Sequence, residues 1–242
     1  MDPKTKIAPF QFKQFTIAQD RCSMKVGTDG VLLGAWADID DAATILDIGT
    51  GSGLIAIMLA QRSNGAAVHG IEIDEASCEQ AVENMQACPW ADRLSAFHSP
   101  VQGFKPEQLG TYDLIVSNPP FFTGGNLSYS EDRNTVRHTV KLSHQDLLSA
   151  VRRLLSEKGK FCLILPYIEG LRFCELAATY HLYCNRMTEV HPKAGKPIER
   201  LLLQLEKTKK DRKVDQLIIQ HEQRNDWTAA YKKLTKAFYL KI

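Results

Sequence analysis

Asn118-Pro119-Pro120-Phe121 places an amide oxygen, two ring-locked backbone positions and an aromatic face within four residues. The Asn118 side-chain oxygen and the Pro119 carbonyl are hydrogen-bond acceptors, and proline fixes φ, so both keep one aim. Phe121 offers a face on which a flat group can stack. Together these suit a planar group bearing an exocyclic amine. Two acceptors draw on the amine hydrogens, pull the nitrogen out of conjugation and expose its lone pair to an electrophile. Such a transfer is an in-line displacement governed by proximity and orientation, and it needs no strong general base. The exocyclic amines of adenine, cytosine and guanine, and the planar carboxamide of glutamine, all offer such a nitrogen, so the tetrapeptide does not choose among them.

A glycine run lies upstream: Asp47-Ile48-Gly49-Thr50-Gly51-Ser52-Gly53. Glycines let the backbone turn sharply and approach a ligand closely. The spacing is Gly-x-Gly-x-Gly; a dinucleotide fingerprint wants Gly-x-Gly-x-x-Gly, and Leu54 takes the last place. Asp47 puts a carboxylate beside the turn, which suits an ammonium or sulfonium better than a pyrophosphate. Glu72 lies about twenty residues past the glycines, where a carboxylate can accept hydrogen bonds from ribose hydroxyls. Asp74 is left to cap the helix that follows. A ligand with a ribose and a positive charge but no phosphate meets both conditions, and S-adenosylmethionine fits.

These groups need a scaffold that brings them to one edge. Strands are predicted at Thr44–Ile48, Ala67–Ile73, Leu94–Phe97, Tyr112–Ser117 and Phe161–Leu165. Helices are predicted at Leu54–Gln61, Glu75 to about Ala87, Ser143 to about Leu155 (opened by the capping box Ser143-His144-Gln145-Asp146) and Gly170–Tyr180. Alternating strands and helices argue for a parallel sheet covered on both faces. Met187–His191 and Leu201–Leu205 are strand-like with a loop of about nine residues between them, which permits an antiparallel pair but no helical crossover. Asp226–Tyr239 reads as an amphipathic helix docking on the rest. The expected fold is α/β: a doubly wound, seven-stranded, mostly parallel, Rossmann-like sheet with a C-terminal antiparallel hairpin strand. The expectation is one domain over 1–242, with a covering segment at 1–43, the core at 44–207 and a helical extension at 208–242.

On these residues the chain resembles the class I S-adenosylmethionine-dependent methyltransferases from about Val26 to Leu205. The resemblance implies that Asp47, Gly49, Gly51 and Gly53 cradle the methionine part of the cofactor and that Glu72 holds its ribose. Many members carry an acid near the cofactor's adenine amino group. Here that segment reads His98-Ser99-Pro100-Val101-Gln102, with Ser99 or Gln102 as substitutes. The segment from Phe12 to Trp36, with Leu234-Thr235-Lys236-Ala237-Phe238-Tyr239-Leu240 at the other end, is similar to the bacterial tRNA1(Val) adenine-N6 methyltransferases. That similarity implies methylation of adenine 37, beside the anticodon of a valine tRNA. It also implies that Thr28 and Asp29 lie over the cofactor, Asp29 as a partner of its methionine amino group. Thr28-Asp29-Gly30 is at the same time a helix-start pattern.

Charge and composition fit these expectations. The 242 residues carry a net charge of +2. From Lys193 to Lys213, however, eight basic residues face three acidic ones. Lys193, Lys196 and Arg200 in this stripe, with Phe122, Arg133 and Arg137 in the long polar segment Phe122–Lys141, are the candidate tRNA contacts. That polar segment is the expected substrate lid, and His138 in it is read as a substrate or structural contact. Six cysteines without a Cys-x-x-Cys pair argue against a metal site and for reduced thiols. No stretch approaches the roughly 18 apolar residues of a membrane span, and the start lacks a signal peptide. The expectation is a cytoplasmic monomer without metal. A guanine-N2 methyltransferase of ribosomal RNA and a glutamine-N5 methyltransferase of proteins are the alternatives. The former often has a duplicated domain and the latter a sizeable helical domain in front, for which about 43 residues leave no room.

Overall fold

Hydrophobic residues alternate between two faces along each central strand. In the strand Thr44–Ile48, Ile45 packs into one apolar cluster and Leu46 and Ile48 into another. Tyr112–Ser117 repeats the pattern with Leu114 and Val116 on one side and Ile115 on the other. Strands apolar on both faces belong inside a sheet covered by helices on both sides.

The computed structural model describes residues 7–106, 110–120 and 142–242. In chain order the elements are β1 (Phe10–Gln11), β2 (Thr16–Ile17), α1 (Thr28–Trp36), β3 (Thr44–Ile48), α2 (Leu54–Arg62), β4 (Ala67–Glu72), α3 (Glu75–Gln86), β5 (Leu94–His98) and β6 (Tyr112–Ser117). They continue as α4 (His144–Leu154), β7 (Leu155–Pro166), α5 (Tyr167–Thr179), β8 (Tyr183–Lys193), β9 (Arg200–Glu206), β10 (Lys213–Gln220) and α6 (Ala229–Thr235). The strand order is β10-β8-β9-β7-β6-β3-β4-β5. All neighbours are parallel except β9, which runs antiparallel to β7 and β8. Helices α1, α2 and α6 contribute to the cluster on one face, and α4 and α5 to the other.

The expected doubly wound sheet and its antiparallel hairpin strand are present, but the described sheet has eight strands rather than seven. The additional strand, β10, pairs with the outer edge of β8, Val214 opposite Met187 and Leu217 opposite Val190. It falls in the segment expected to be a helical extension. Its polar, mostly exposed residues, with Leu217 turned inward, mark an edge strand rather than a core one. The terminal helix is also shorter than its periodicity suggested. Trp227 forms a bridge with Gln220, so the chain stays extended until Thr228 caps α6 through its side-chain oxygen.

Candidate functional site

The register of the three central strands builds the site. Ile48 at the end of β3 lies opposite Ile71 in β4 and Ser117 in β6. Gly49, Glu72 and Asn118 therefore leave the sheet side by side. This is the carboxyl edge where the chain winds outward in both directions from β3, the usual ligand position in such sheets. The Ser117 hydroxyl donates to the Ile48 carbonyl at 2.8 Å and ties the tetrapeptide to the glycine loop.

Gly49, Gly51 and Gly53 hold φ of +73°, +55° and +81°. A Cβ at Gly49 or Gly51 would meet nothing of the chain within 4 Å, and both residues line a cavity, so their missing side chains make that space. Gly53 differs. It starts α2 and packs against Ala81 and Met85 of α3, outside the cavity lining. Asp47 also sits behind the loop. Its carboxylate is fully buried, accepts from the Thr50 hydroxyl at 2.7 Å, and leaves Oδ1 without a partner among the described residues. Burial pushes this acid up to about 7, with the Glu72 charge acting in the same direction and the Thr50 bond opposing both.

Glu72 lines the cavity and also holds the loop. Its Oε2 accepts from the Gly51 amide at 2.9 Å, and Oε1 accepts from the amides of Ile73 and Asp74 at 2.8 and 3.0 Å. A carboxylate has roughly four acceptor positions, so these three bonds leave it about one more. Asp74 caps α3, accepting from the Ser77 amide and hydroxyl.

Two cavities meet at this edge. One, of about 280 Å³, runs along Glu72, Ser99, Gln102 and the prolines Pro119 and Pro120. The other, of about 590 Å³, lies by Thr28, Asp29, Lys193, Arg200 and Trp227. Met24, Gly49, Gly51 and Asn118 line both. Among the described residues, the smaller cavity has carboxylates in its lining but no Lys, Arg or His. That donor set fits a ribose-bearing, cationic, phosphate-free molecule and offers a pyrophosphate no cationic side chain. Ser99 and Gln102, the expected substitutes for the missing acid, both reach this lining. The Asn118 Oδ1 atom, at the junction, is buried with no hydrogen-bond partner among the described residues. A buried acceptor in that state costs about 1–3 kcal/mol, which an incoming amine would relieve.

Residues 26–166 match the methyltransferase small domain. A tRNA1(Val) (adenine(37)-N6)-methyltransferase from Pectobacterium carotovorum is 43% identical, covering 96% of this chain and 93% of its own. One of the same name from Trichodesmium erythraeum is 46% identical, covering 96% and 98%. The chain belongs to the tRNA1(Val) (adenine(37)-N6)-methyltransferase family. Among solved structures, a predicted O-methyltransferase from Agrobacterium tumefaciens superposes with a TM-score of 0.68 at 19% identity, covering 87% of this chain and 96% of that one. At that identity the likeness concerns the fold.

Other expected site residues of this family member fall differently. Thr28 and Asp29 are the first two residues of α1, which starts at Gly27 without a side-chain cap, and both line the larger cavity. Asp29 Oδ2 accepts from Arg200 Nε at 2.9 Å, so a proposed cofactor partner and a proposed RNA contact are bound to each other. The basic stripe from Lys193 to Lys213 does not form one surface. Strand β9 carries the chain about 20 Å along the sheet, from Arg200 beside the site to Glu206 at the far edge. Lys193, Lys196 and Arg200 are at the site end, while Lys207 donates to the Leu155 carbonyl, Lys210 pairs with Glu206 and Arg212 donates to the Cys184 carbonyl at the other. Phe121, Phe122, Arg133, Arg137 and His138, with the lid expected at 122–141, lie outside the described residues.

Three contributors escaped the reading of the sequence. Met24 lines both cavities, and Trp227 the larger one. Asn84, on α3, ties the segment before α1 to the glycine loop: its Oδ1 accepts from the Ala18 amide, and its Nδ2 donates to the carbonyls of Ala18 and Ser52. Asn84 stands three residues after Ala81 on an apolar-patterned helix. A polar residue near a buried face was the available signal.

Proposed function

We propose that this enzyme transfers a methyl group from S-adenosylmethionine to N6 of adenine 37 in the anticodon loop of a valine tRNA, acting as a cytoplasmic monomer. The reading rests on the unpartnered, buried Asn118 oxygen at the junction of two cavities, in a chain whose relatives carry this activity in their names. Residues 1–242 are taken as one catalytic unit: 1–43 cover the site, 44–207 carry it and 208–242 complete one wall.

Gly49 and Gly51 would hold the cofactor close to the backbone, Glu72 would accept one ribose hydroxyl, and Ser99 or Gln102 would face its adenine. When bound, S-adenosylmethionine supplies an electrophilic methyl on a sulfonium. Asn118 Oδ1 and the Pro119 carbonyl accept the two hydrogens of the target amine and turn its lone pair toward the smaller cavity. Pro119 is buried and Pro120 rigid in φ, so the acceptors do not reorient as the base arrives. The amine proton is lost to water after transfer, and Phe121 stacks on the base. An anticodon-loop adenine is unpaired, and turning it into the site costs only about a few kcal/mol. Lys193 and Lys196 attract the backbone phosphates; Arg200 acts first on Asp29. No helix among the described residues is long and apolar enough to cross a membrane.

Methyl-labelled S-adenosylmethionine, bulk tRNA lacking this modification and the enzyme are incubated together, and the nucleosides are separated by mass spectrometry. The label is expected in N6-methyladenosine. Asn118→Ala is expected to lower kcat about 10²-fold or more while binding S-adenosylhomocysteine normally. Label in guanosine, or in protein, overturns the substrate.

A further inference from the structure

The larger cavity has a wall that the methyl-transfer chemistry does not require. Strand β10 brings Gln220 to the site end of the sheet, in register with Lys193. The chain then turns back, with Asn225 at φ +65°, and His221 donates its amide hydrogen to the Asp226 carbonyl at 2.8 Å. Trp227 bridges Gln220, and Thr228 donates its amide to Ile219 and its hydroxyl to Ile218. These bonds fix the backbone on either side of the indole. It stacks on Tyr231, centroids 5.1 Å apart and planes at 28°, and Tyr231 is itself buried. Trp227 nevertheless remains partly exposed and lines the same cavity as Asn118.

A rigid indole with exposed surface, facing a cavity whose rim carries Lys193, has the make-up of a base-stacking platform. Nucleobases of any identity stack on such a surface, and a neighbouring cation meets the phosphate. Lys193 is oriented for this by its bond to the Glu222 carbonyl at 2.9 Å, in the same turn that carries Trp227. We propose that Trp227 stacks on an unpaired nucleobase of the RNA loop, adjacent in the chain to the base held at Asn118. The two bases share one cavity, so Trp227 sets how the loop is splayed and which nucleotide reaches Asn118. This inference rests on the RNA reading of the site.

The test uses the full-length enzyme and an unmodified valine tRNA transcript. Trp227→Ala is expected to raise KM for the transcript about tenfold, the usual loss for one stacked base, with S-adenosylhomocysteine affinity unaltered. Trp227→Phe, which keeps a ring, should recover most of that loss. The transcript should quench the indole emission of the wild type, and most of the quench should vanish in Trp227→Phe. A wild-type KM in Trp227→Ala, or an undiminished quench in Trp227→Phe, overturns the proposal while leaving the methyl-transfer reading intact. A wild type that binds S-adenosylhomocysteine but neither binds nor labels the transcript overturns both. If Trp227→Ala does not fold, the quench in Trp227→Phe decides.

Discussion

Asp47 is fully buried on the α1–α2 side of β3, and desolvation pushes it from the ordinary 3.8 up to about 7. In the unfolded chain it ionises near 3.8; in the folded protein it keeps its proton until about 7. Between those values the folded state binds more protons, so raising the pH across this window removes stability, and above about 7 the loss is complete. Asp47→Asn lacks this titration and can still accept from Thr50. Urea unfolding of wild type and Asp47→Asn is therefore expected to diverge from pH 4 to 7, the variant gaining relative stability as pH rises. Parallel curves would show that the carboxyl is not held protonated. The residue beside the glycines thus acts on the loop from behind. Its position in the motif was readable; its burial and its bond to the Thr50 hydroxyl were not.

At the scale of elements, the central strands were legible because their apolar residues alternate or run together, and Thr44–Ile48 and Tyr112–Ser117 match their expected bounds. The site was legible where it rides on those strands, since Glu72 ends β4 and Gly49 and Asn118 directly follow β3 and β6. Strand β10 was not, because an edge strand with Lys213, Asp215 and Gln216 has no apolar period to detect. The split of the basic stripe was hidden for the same reason, as charge counting carries no strand direction. Tertiary pairs such as Asp29 with Arg200, 171 residues apart, have no local trace at all. The clamp between α3 and the segment before α1 is of that kind. Gln80 accepts from the Arg21 amide and donates to Asp20, while Asn84 bridges Ala18 and the Ser52 carbonyl. Met24, which covers both cavities, hangs from this segment. Asn84→Leu keeps the branched side chain of four heavy atoms and removes all three bonds. It is expected to weaken S-adenosylhomocysteine binding about tenfold by calorimetry, on the scale of one to two lost buried hydrogen bonds, without a matching rise in KM for tRNA. Equal affinity in the variant would reduce the clamp to a packing feature.

For the whole molecule, the two ends of the chain close over α1. The β1–β2 hairpin brings Phe12 onto Phe15 at 4.7 Å and onto Tyr239 at 5.9 Å, and the Lys13 amide donates to the Phe238 carbonyl at 2.8 Å. Helix α6 packs against β10 and α1, placing Tyr231 and Phe238 in the same apolar cluster as α1. Helix α1 is buried over most of its length, and Gly34 lets it approach Met58 of α2 more closely than any Cβ would allow. The segments around β1–β2 and α6 pack into the same apolar cluster as this helix, whose first turn carries Thr28 and Asp29 into the larger cavity. Phe12→Ala removes the centre of the clasp without touching either cavity. Truncating a buried aromatic costs about 3–5 kcal/mol, and for a chain of this size each kcal/mol lowers Tm by about 2–4 °C, so a drop on the order of 10 °C is expected. Tyr231→Ala should produce a comparable drop. Because both loosen one cover, the double variant should fall by less than the two combined. Calorimetric melting of the three variants tests this: full additivity would mean that the two ends stabilise the molecule separately, and a Phe12→Ala melting point within about 2 °C of wild type, less than one kcal/mol on the same scale, would mean that α1 needs no clasp.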